Sequence, residues 1–187
     1  MSLPLLQVDQ LQVGYAAPVI GPLSFHVNQG EVIGLAGPNG TGKSTLLKAV
    51  ADSVHIFAGE IRKGAGLTIG WMEQHPAQLP EMPFDGWEYL RFTEAGSTPP
   101  EPLASWLDQR VDALSGGQYQ LLCLWSVLGG NADLLLLDEP TNNLDRQSAS
   151  IVEEALKADQ GKRAVLVVSH ERGFLDRVAH RVLEVAG

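Results

Sequence analysis

Gly37-Pro38-Asn39-Gly40-Thr41-Gly42-Lys43-Ser44-Thr45 stands between the apolar run Val32-Ile33-Gly34-Leu35-Ala36 and a helix-patterned stretch from Thr45 to Ala51. The nonapeptide fits Gly-x-x-x-x-Gly-Lys-[Ser/Thr] through Gly37, Gly42, Lys43 and Ser44, in the strand, loop, helix order that a phosphate-binding loop requires. Its glycines let successive backbone N–H groups turn toward one anion, and the helix N-terminus behind them adds about half a positive charge. Gly37, Asn39, Gly40, Gly42 and Thr45 are the expected nucleotide contacts, Lys43 is a point charge for the β- and γ-phosphates, and the Ser44 hydroxyl is placed for Mg²⁺. A glycine-rich turn that binds nothing is the competing reading, and it leaves the uninterrupted Lys-Ser-Thr without a reason.

A second anchor is Leu134-Leu135-Leu136-Leu137-Asp138-Glu139-Pro140. Four consecutive apolar residues suit a strand buried on both faces of a parallel sheet, and the carboxylates then fall at its C-terminal end, where such sheets bind ligands. Asp138 is the expected Mg²⁺ holder through water, and Glu139 the expected general base for an attacking water. Taken alone, Asp-Glu at a strand end is an ordinary surface pair; the phosphate loop changes that reading.

Further along the chain, Leu114-Ser115-Gly116-Gly117-Gln118 opens an apolar helix running to about Leu128. With the two anchors, this pentapeptide resembles the nucleotide-binding domain of ATP-binding cassette (ABC) ATPases, and the resemblance runs over nearly all 187 residues. It implies an α/β P-loop fold of ABC type: a mostly parallel core sheet, an N-terminal antiparallel β part and a small helical arm. It also implies one domain over residues 1–187, with core about 1–75 and 132–187 and arm about 76–131. Tyr15 sits where the family places a ring on adenine, Gln74 matches the glutamine that senses Mg²⁺ and the attacking water, and His170 matches the histidine on the γ-phosphate. Asp145, in Asn142-Asn143-Leu144-Asp145, matches the aspartate of the dimer-contacting loop. Ser115, Gly116, Gly117 and Gln118 correspond to residues that reach the ATP of the opposite subunit. One such motif and one phosphate loop per chain then imply a head-to-tail homodimer or heterodimer around two ATP molecules. Ser115 also reads as a plain helix N-cap, and the two roles use the same geometry.

Composition sets limits. The net charge is −9, 44% of residues are hydrophobic, and the pI is near 4.9. This balance lacks the basic footprint of a nucleic-acid binder, so no direct nucleic-acid contact is expected. No 18-residue apolar stretch is present, and Met1 to Val8 is too short and uncharged for a leader. The single Cys123 inside an apolar helix fits a reducing compartment. The expected location is therefore cytoplasmic, peripheral to a membrane through a partner. His26, His55, His75 and His180 show neither paired ligand spacing nor cysteine neighbours, so they read as structural and no protein metal site is expected.

A coarse pass places strands near Leu5–Val8, Leu23–Val27, Gly66–Met72, Leu134–Leu137 and Ala164–Val168, besides the run before the phosphate loop. Helices are expected at Ser44–Ala51, Gln147–Ala158 and Gly173–Ala179. Pro76, Pro80, Pro83, Pro99, Pro100 and Pro102 punctuate the arm, which also carries Trp87, Tyr89, Phe92 and Trp106. Trp71, Phe84, Trp87, Tyr89 and Phe92 either fill the arm's own core or anchor a membrane-embedded transporter subunit. One departure from the family stands out: no arginine follows Gln118, and Tyr119 to Trp125 carries no charge. Such a helix must be covered, by the arm or by something outside the chain.

The leading expectation is an ATP-hydrolysing transporter subunit working with ATP and Mg²⁺. The alternative is a soluble ABC-F-like ATPase acting on the ribosome, because Asp138-Glu-Pro-Thr-Asn-Asn-Leu-Asp145 and Ser169-His-Glu-Arg-Gly-Phe-Leu-Asp176 resemble that class. A second cassette and a long charged linker, usual there, are missing from these 187 residues. A non-catalytic scaffold would need a defective carboxylate, and Glu139 is present.

Overall fold

The computed structural model describes residues 4–74, 76 and 82–185. In chain order the elements are β1 (Leu6–Gly14), β2 (Pro18–Val27), β3 (Val32–Ala36), α1 (Lys43–Val50), β4 (His55–Lys63), β5 (Ile69–Met72), α2 (Gly86–Phe92), α3 (Gly116–Leu128), β6 (Leu134–Asp138), α4 (Arg146–Asp159), β7 (Ala164–Val168), α5 (Arg172–Val178) and β8 (Arg181–Glu184). Two short 3-10 turns, Ala104–Trp106 and Val111–Ala113, lie between α2 and α3. Of the residues singled out in the sequence, His75 and Pro80 lie outside the described residues.

Every residue of β3, β6 and β7 is buried. These strands form the centre of a parallel sheet in the order β5-β6-β7-β3-β8. Side chains alternate across a strand, so each run divides between two cores. Leu135, Leu137, Val165, Val167 and Val32 face the first core, with Leu121, Leu122 and Leu124 of α3, Val152 and Leu156 of α4, and Phe174 and Val178 of α5. Leu134, Leu136, Leu166, Val168, Ile33 and Leu35 face the second, with Leu46, Leu47 and Val50 of α1 and the inner face of a three-stranded antiparallel sheet. Continuous apolar runs are what a strand covered on both sides requires.

The antiparallel sheet has the order β2-β1-β4. Its strands outrun the sequence expectation: β1 extends to Gly14 and β2 begins at Pro18. Two strands were not expected, β4 and β8. Nearly all of β4 is exposed, so it lacks the alternation that betrays a half-buried strand, and its pairing depends on irregularities in β1 between Asp9 and Val13. Gly59 lies opposite these at φ 75°, where a Cβ would stand 2.3 Å from the carbonyl oxygens of Asp9 and Gln10. Only glycine fits that approach.

The uncharged helix α3 is covered by its own chain. Tyr119, Gln120, Leu121, Leu122, Cys123, Leu124 and Leu128 are buried, against Leu103, Trp106, Leu107 and Val111 as well as the sheet. Arg163 donates to the carbonyls of Leu128 at 2.7 Å and Gly130 at 2.9 Å, placing a cation at the helix C-terminal end. Phe84 and Tyr89 pack on the first core, whereas Trp87 and Phe92 are exposed.

Leu136 lies on β6 with no exposed surface. Leu136→Ala is expected to lower stability by about 2–5 kcal/mol, measured as a shift of the urea midpoint at constant slope.

Candidate nucleotide site

Because β3, β6 and β7 run parallel side by side, their C-terminal ends open onto one edge of the sheet. β3 delivers the loop from Gly37 to Gly42, β6 delivers Asp138 and Glu139, and β7 delivers Ser169 and His170. A cavity of about 290 Å³ lies there, lined by Asn39, Gly40, Gly42, Lys43, Ser44, Thr45, Gln74, Asp138 and Glu139, with Val19 and Val168. Val19, from β2, carried no signal in the sequence beyond its apolar side chain.

The loop is tightly bound to its surroundings. Gly37 has φ 146°, and a Cβ there would stand 2.3 Å from the Val185 carbonyl oxygen. The buried Lys43 ammonium donates to the Gly37 and Pro38 carbonyls, each at 2.8 Å, and so lies folded across the loop. Gly42 caps α1 without a side-chain bond, leaving the first N–H groups of the helix to a ligand.

Asp138 is buried, and its Oδ1 has no hydrogen-bond partner. Burial pushes its carboxyl above the usual aspartate range, the adjacent Glu139 charge adds to this, and the Ser44 hydroxyl bond and the Lys43 and Lys48 charges oppose it. An orphaned carboxylate oxygen costs about 1–3 kcal/mol or more unless something meets it. With the Ser44 hydroxyl and Gln74 on the same cavity, the oxygen donors fit a hard divalent cation that keeps most of its ligands from water and phosphate. Among the described residues no group of three or more His, Cys, Asp or Glu side chains is arranged to hold a metal.

Glu139 is buried and adopts φ 51°, a left-handed conformation that costs a non-glycine residue roughly 1–2 kcal/mol. Its N–H donates to the Val168 carbonyl at 3.0 Å, and its own carbonyl accepts from the Asn142 N–H at 3.1 Å. Its Oε2 stands 2.8 Å from His170 Nδ1 and accepts the His170 backbone N–H at 3.3 Å. The turn thus swings the carboxylate from the end of β6 onto the end of β7. Gln120 Nε2 also donates to the Glu139 carbonyl, at 3.4 Å, a contact that no sequence motif indicated.

The remaining expected residues lie elsewhere. Tyr15 is exposed on the β1–β2 turn, outside the cavity wall, with Lys48 Nζ 3.4 Å from its hydroxyl and 5.9 Å from its ring centre. Ser115 caps α3 through a reciprocal pair: its Oγ accepts the Gln118 N–H at 3.3 Å, and Gln118 Oε1 accepts the Ser115 N–H at 2.9 Å. Ser115, Gly117 and Gln118 share a second cavity, of about 310 Å³, with Asn143, Leu144, Asp145 and Ser148. Asp145 caps α4, accepting the Ser148 N–H at 2.7 Å, and that bond holds its carboxyl below the usual range. His180 is structural, its Nδ1 accepting the Val32 N–H at 3.0 Å. His26 and His55 are exposed.

A parallel sheet that carries a glycine-rich loop, a lysine and a strand-end carboxylate pair on one edge is that of a P-loop nucleotide-binding protein. The family model described as ABC transporter matches residues 20–142. Putative ATP-binding protein YdiF of Bacillus subtilis (strain 168) is 36% identical over 191 residues, which cover 97% of this chain and 29% of that protein. The zinc import ATP-binding protein ZnuC of Roseobacter denitrificans is 36% identical over 194 residues, covering 98% of this chain and 76% of the relative. The solved structure described as an ATP-binding subunit of an ABC transporter superposes with a TM-score of 0.83 at 22% identity, over 97% of this chain and 86% of that one, a likeness of fold. The chain belongs to the ABC transporter family, as an ABC ATPase cassette. Among the described residues no helix is long and apolar enough to cross a membrane.

The burial of Asp138 has a pH signature. A carboxyl whose folded pKa is raised above its unfolded value destabilises the fold: the effect is absent below the unfolded pKa, grows as pH rises between the two values and is complete above the folded one. Asp138→Asn is therefore expected to raise the thermal midpoint of the nucleotide-free protein at pH 7 and to lose that advantage toward pH 4, as followed by calorimetry.

Proposed function

We propose that this chain is the ATP-hydrolysing subunit of an ABC transporter, closing head-to-tail around two Mg-ATP to drive a separate membrane-embedded subunit. The observation that carries the reading is a division of labour: Lys43, Ser44, Gln74, Asp138 and Glu139 line one cavity, while Ser115, Gly117, Gln118 and Asp145 line another. The helix start at Ser115 stands on a cavity apart from its own phosphate loop, which supports its serving the ATP of a second chain.

In this reading the Gly37–Thr45 N–H groups and Lys43 hold the β- and γ-phosphates, and the two carbonyls under the ammonium fix its height in the loop. Asp138 and Ser44 would hold Mg²⁺, with Gln74 beside it, and the bound ion would supply positive charge to offset the negative charge developing on the phosphoryl oxygens. Glu139 accepts a proton from the attacking water, and its turn together with His170 fixes which way the carboxylate points. His170 meets the γ-phosphate in this reading. Ser115, with the N–H groups of Gly116, Gly117 and Gln118, closes over the partner's γ-phosphate, and Asp145 lies at the seam. Tyr15 stacks on adenine beside Lys48. Residues 1–187 act as one domain, core about 1–75 and 132–187 with an arm about 76–131.

On this reading the membrane partner seats between the arm and the sheet. A cavity of about 240 Å³ between arm and sheet is lined by Trp71, Met72, Glu73, Pro76, Tyr89, Cys123, Ser126 and Val127, directly before Gln74. The Trp71 indole itself packs on the second core, on the other face of the sheet. A partner helix seated on this cavity would feel movement of Gln74. The zinc-import relative makes a metal-ion importer the first partner to test. On this reading the protein is cytoplasmic and held at the membrane by that partner.

An ABC-F-like factor on the ribosome is the second reading, favoured by the wording of Asp138–Asp145 and Ser169–Asp176 and opposed by the net charge of −9. Glu139→Gln is expected to keep ATP binding, cut turnover by about a hundredfold or more and accumulate an ATP-dependent dimer in sedimentation. Recovery of that locked protein with ribosomes instead of a polytopic membrane protein would overturn the transporter reading. Ser115→Arg is expected to leave monomer nucleotide binding intact and abolish the dimer; a dimer of unchanged affinity counts against the composite site.

A further inference from the structure

Gln120 is a buried amide in the otherwise apolar stretch Tyr119 to Trp125, and burying an amide costs about 1–3 kcal/mol unless it is bonded. Its Nε2 donates to the carbonyl of Glu139, a residue held in a left-handed turn. That carbonyl already accepts the Asn142 N–H, so Gln120 takes its second lone pair. One helical turn earlier, Gly117 lies against the same segment, where a Cβ would stand 3.0 Å from the Asn143 carbonyl oxygen. The start of α3 therefore meets the Glu139–Asp145 segment at two points, one by close backbone approach and one by a directed bond.

We propose that Gln120 is a positioning residue that ties the Ser115–Gln118 turn to the backbone of Glu139. The inference rests on the head-to-tail reading given above. In such a dimer Ser115 to Gln118 of one chain meet the phosphate bound by its partner, while Glu139 of the same chain acts on its own ATP. The hydrogen bond from the Gln120 amide joins these two ends within one chain, so capture of phosphate at one site orients the base at the other. Gln120 touches neither ATP nor the attacking water; it acts through the strained turn. Without the donor, that turn keeps its Val168, Asn142 and His170 bonds but is released from α3.

The test is Gln120→Met, which keeps length and volume but removes the N–H donor. Three quantities are measured: affinity of the monomer for ATP, affinity of the ATP-dependent dimer in the Glu139→Gln background, and kcat in the otherwise native chain. The expected result is a fall in kcat of about tenfold, the scale of one neutral hydrogen bond, with both affinities unchanged. Unchanged kcat overturns the proposal. A parallel loss of ATP affinity also overturns it, because that marks a merely structural role. Gln120→Asn keeps the amide one methylene short of the Glu139 carbonyl and is read the same way where the methionine variant fails to fold. A wild-type chain that neither turns over ATP nor dimerises with it overturns the head-to-tail reading and the relay with it; a variant indistinguishable from an active wild type overturns the relay alone.

Discussion

The parallel hydrogen bonding of β6, β7 and β3 is the constraint on which the rest depends. Parallel strands end on the same edge, so three segments far apart in the chain arrive together there: the glycine loop, the Asp138-Glu139 pair and His170, which bonds Glu139. The pairing is possible because each strand is apolar on both faces and is covered on both, by helices on one side and by α1 with the antiparallel sheet on the other. A polar residue inside any of these runs would leave one core with an unpaired group. The polar residues instead stand where the runs stop, which is where the chemistry lies.

That edge stores unfavourable energy of two kinds. Asp138 is buried with an orphaned oxygen, and Glu139 next to it sits in a left-handed turn. Both are tolerated because neighbours over-determine them: Ser44 and Lys43 around the first, and Val168, Asn142, His170 and Gln120 around the second. Carboxylates placed this way are poorly arranged for the isolated chain and well arranged for a cation and a water between protein and phosphate. The second cavity, by contrast, is built from satisfied helix caps, Ser115 on α3 and Asp145 on α4. Its groups are held in place by local bonds and remain oriented whatever the distant site does.

Much of this was legible along the chain because the signals are local. A glycine loop before a helix, an apolar run ending in two carboxylates, and a Ser-Gly-Gly-Gln helix start each read within a few residues. β4 was not legible, since its side chains are exposed and its pairing is set by irregularities in β1. β8 was missed as a four-residue edge strand with no fully buried position. The arm's aromatics were ambiguous for a related reason: one stretch holds both Tyr89, packed on the core, and Phe92, exposed, and residue type does not separate them. Gln120 carried no signal either, because its acceptor is a backbone carbonyl, which every residue possesses.

The amino-acid sequence by itself determined the family, the α/β class, the central strands and the candidate phosphate and carboxylate residues, because those depend on short-range pattern and residue chemistry. Only the tertiary structure decided that Lys43, Ser44, Gln74, Asp138 and Glu139 share a cavity, that Ser115, Gly117 and Gln118 lie with Asp145 in another, and that Gln120 reaches the turn at Glu139. Those relations join segments up to a hundred residues apart. They exist only once strand order and helix packing have set the distances between them, and spacing along a chain carries no record of distance across a sheet.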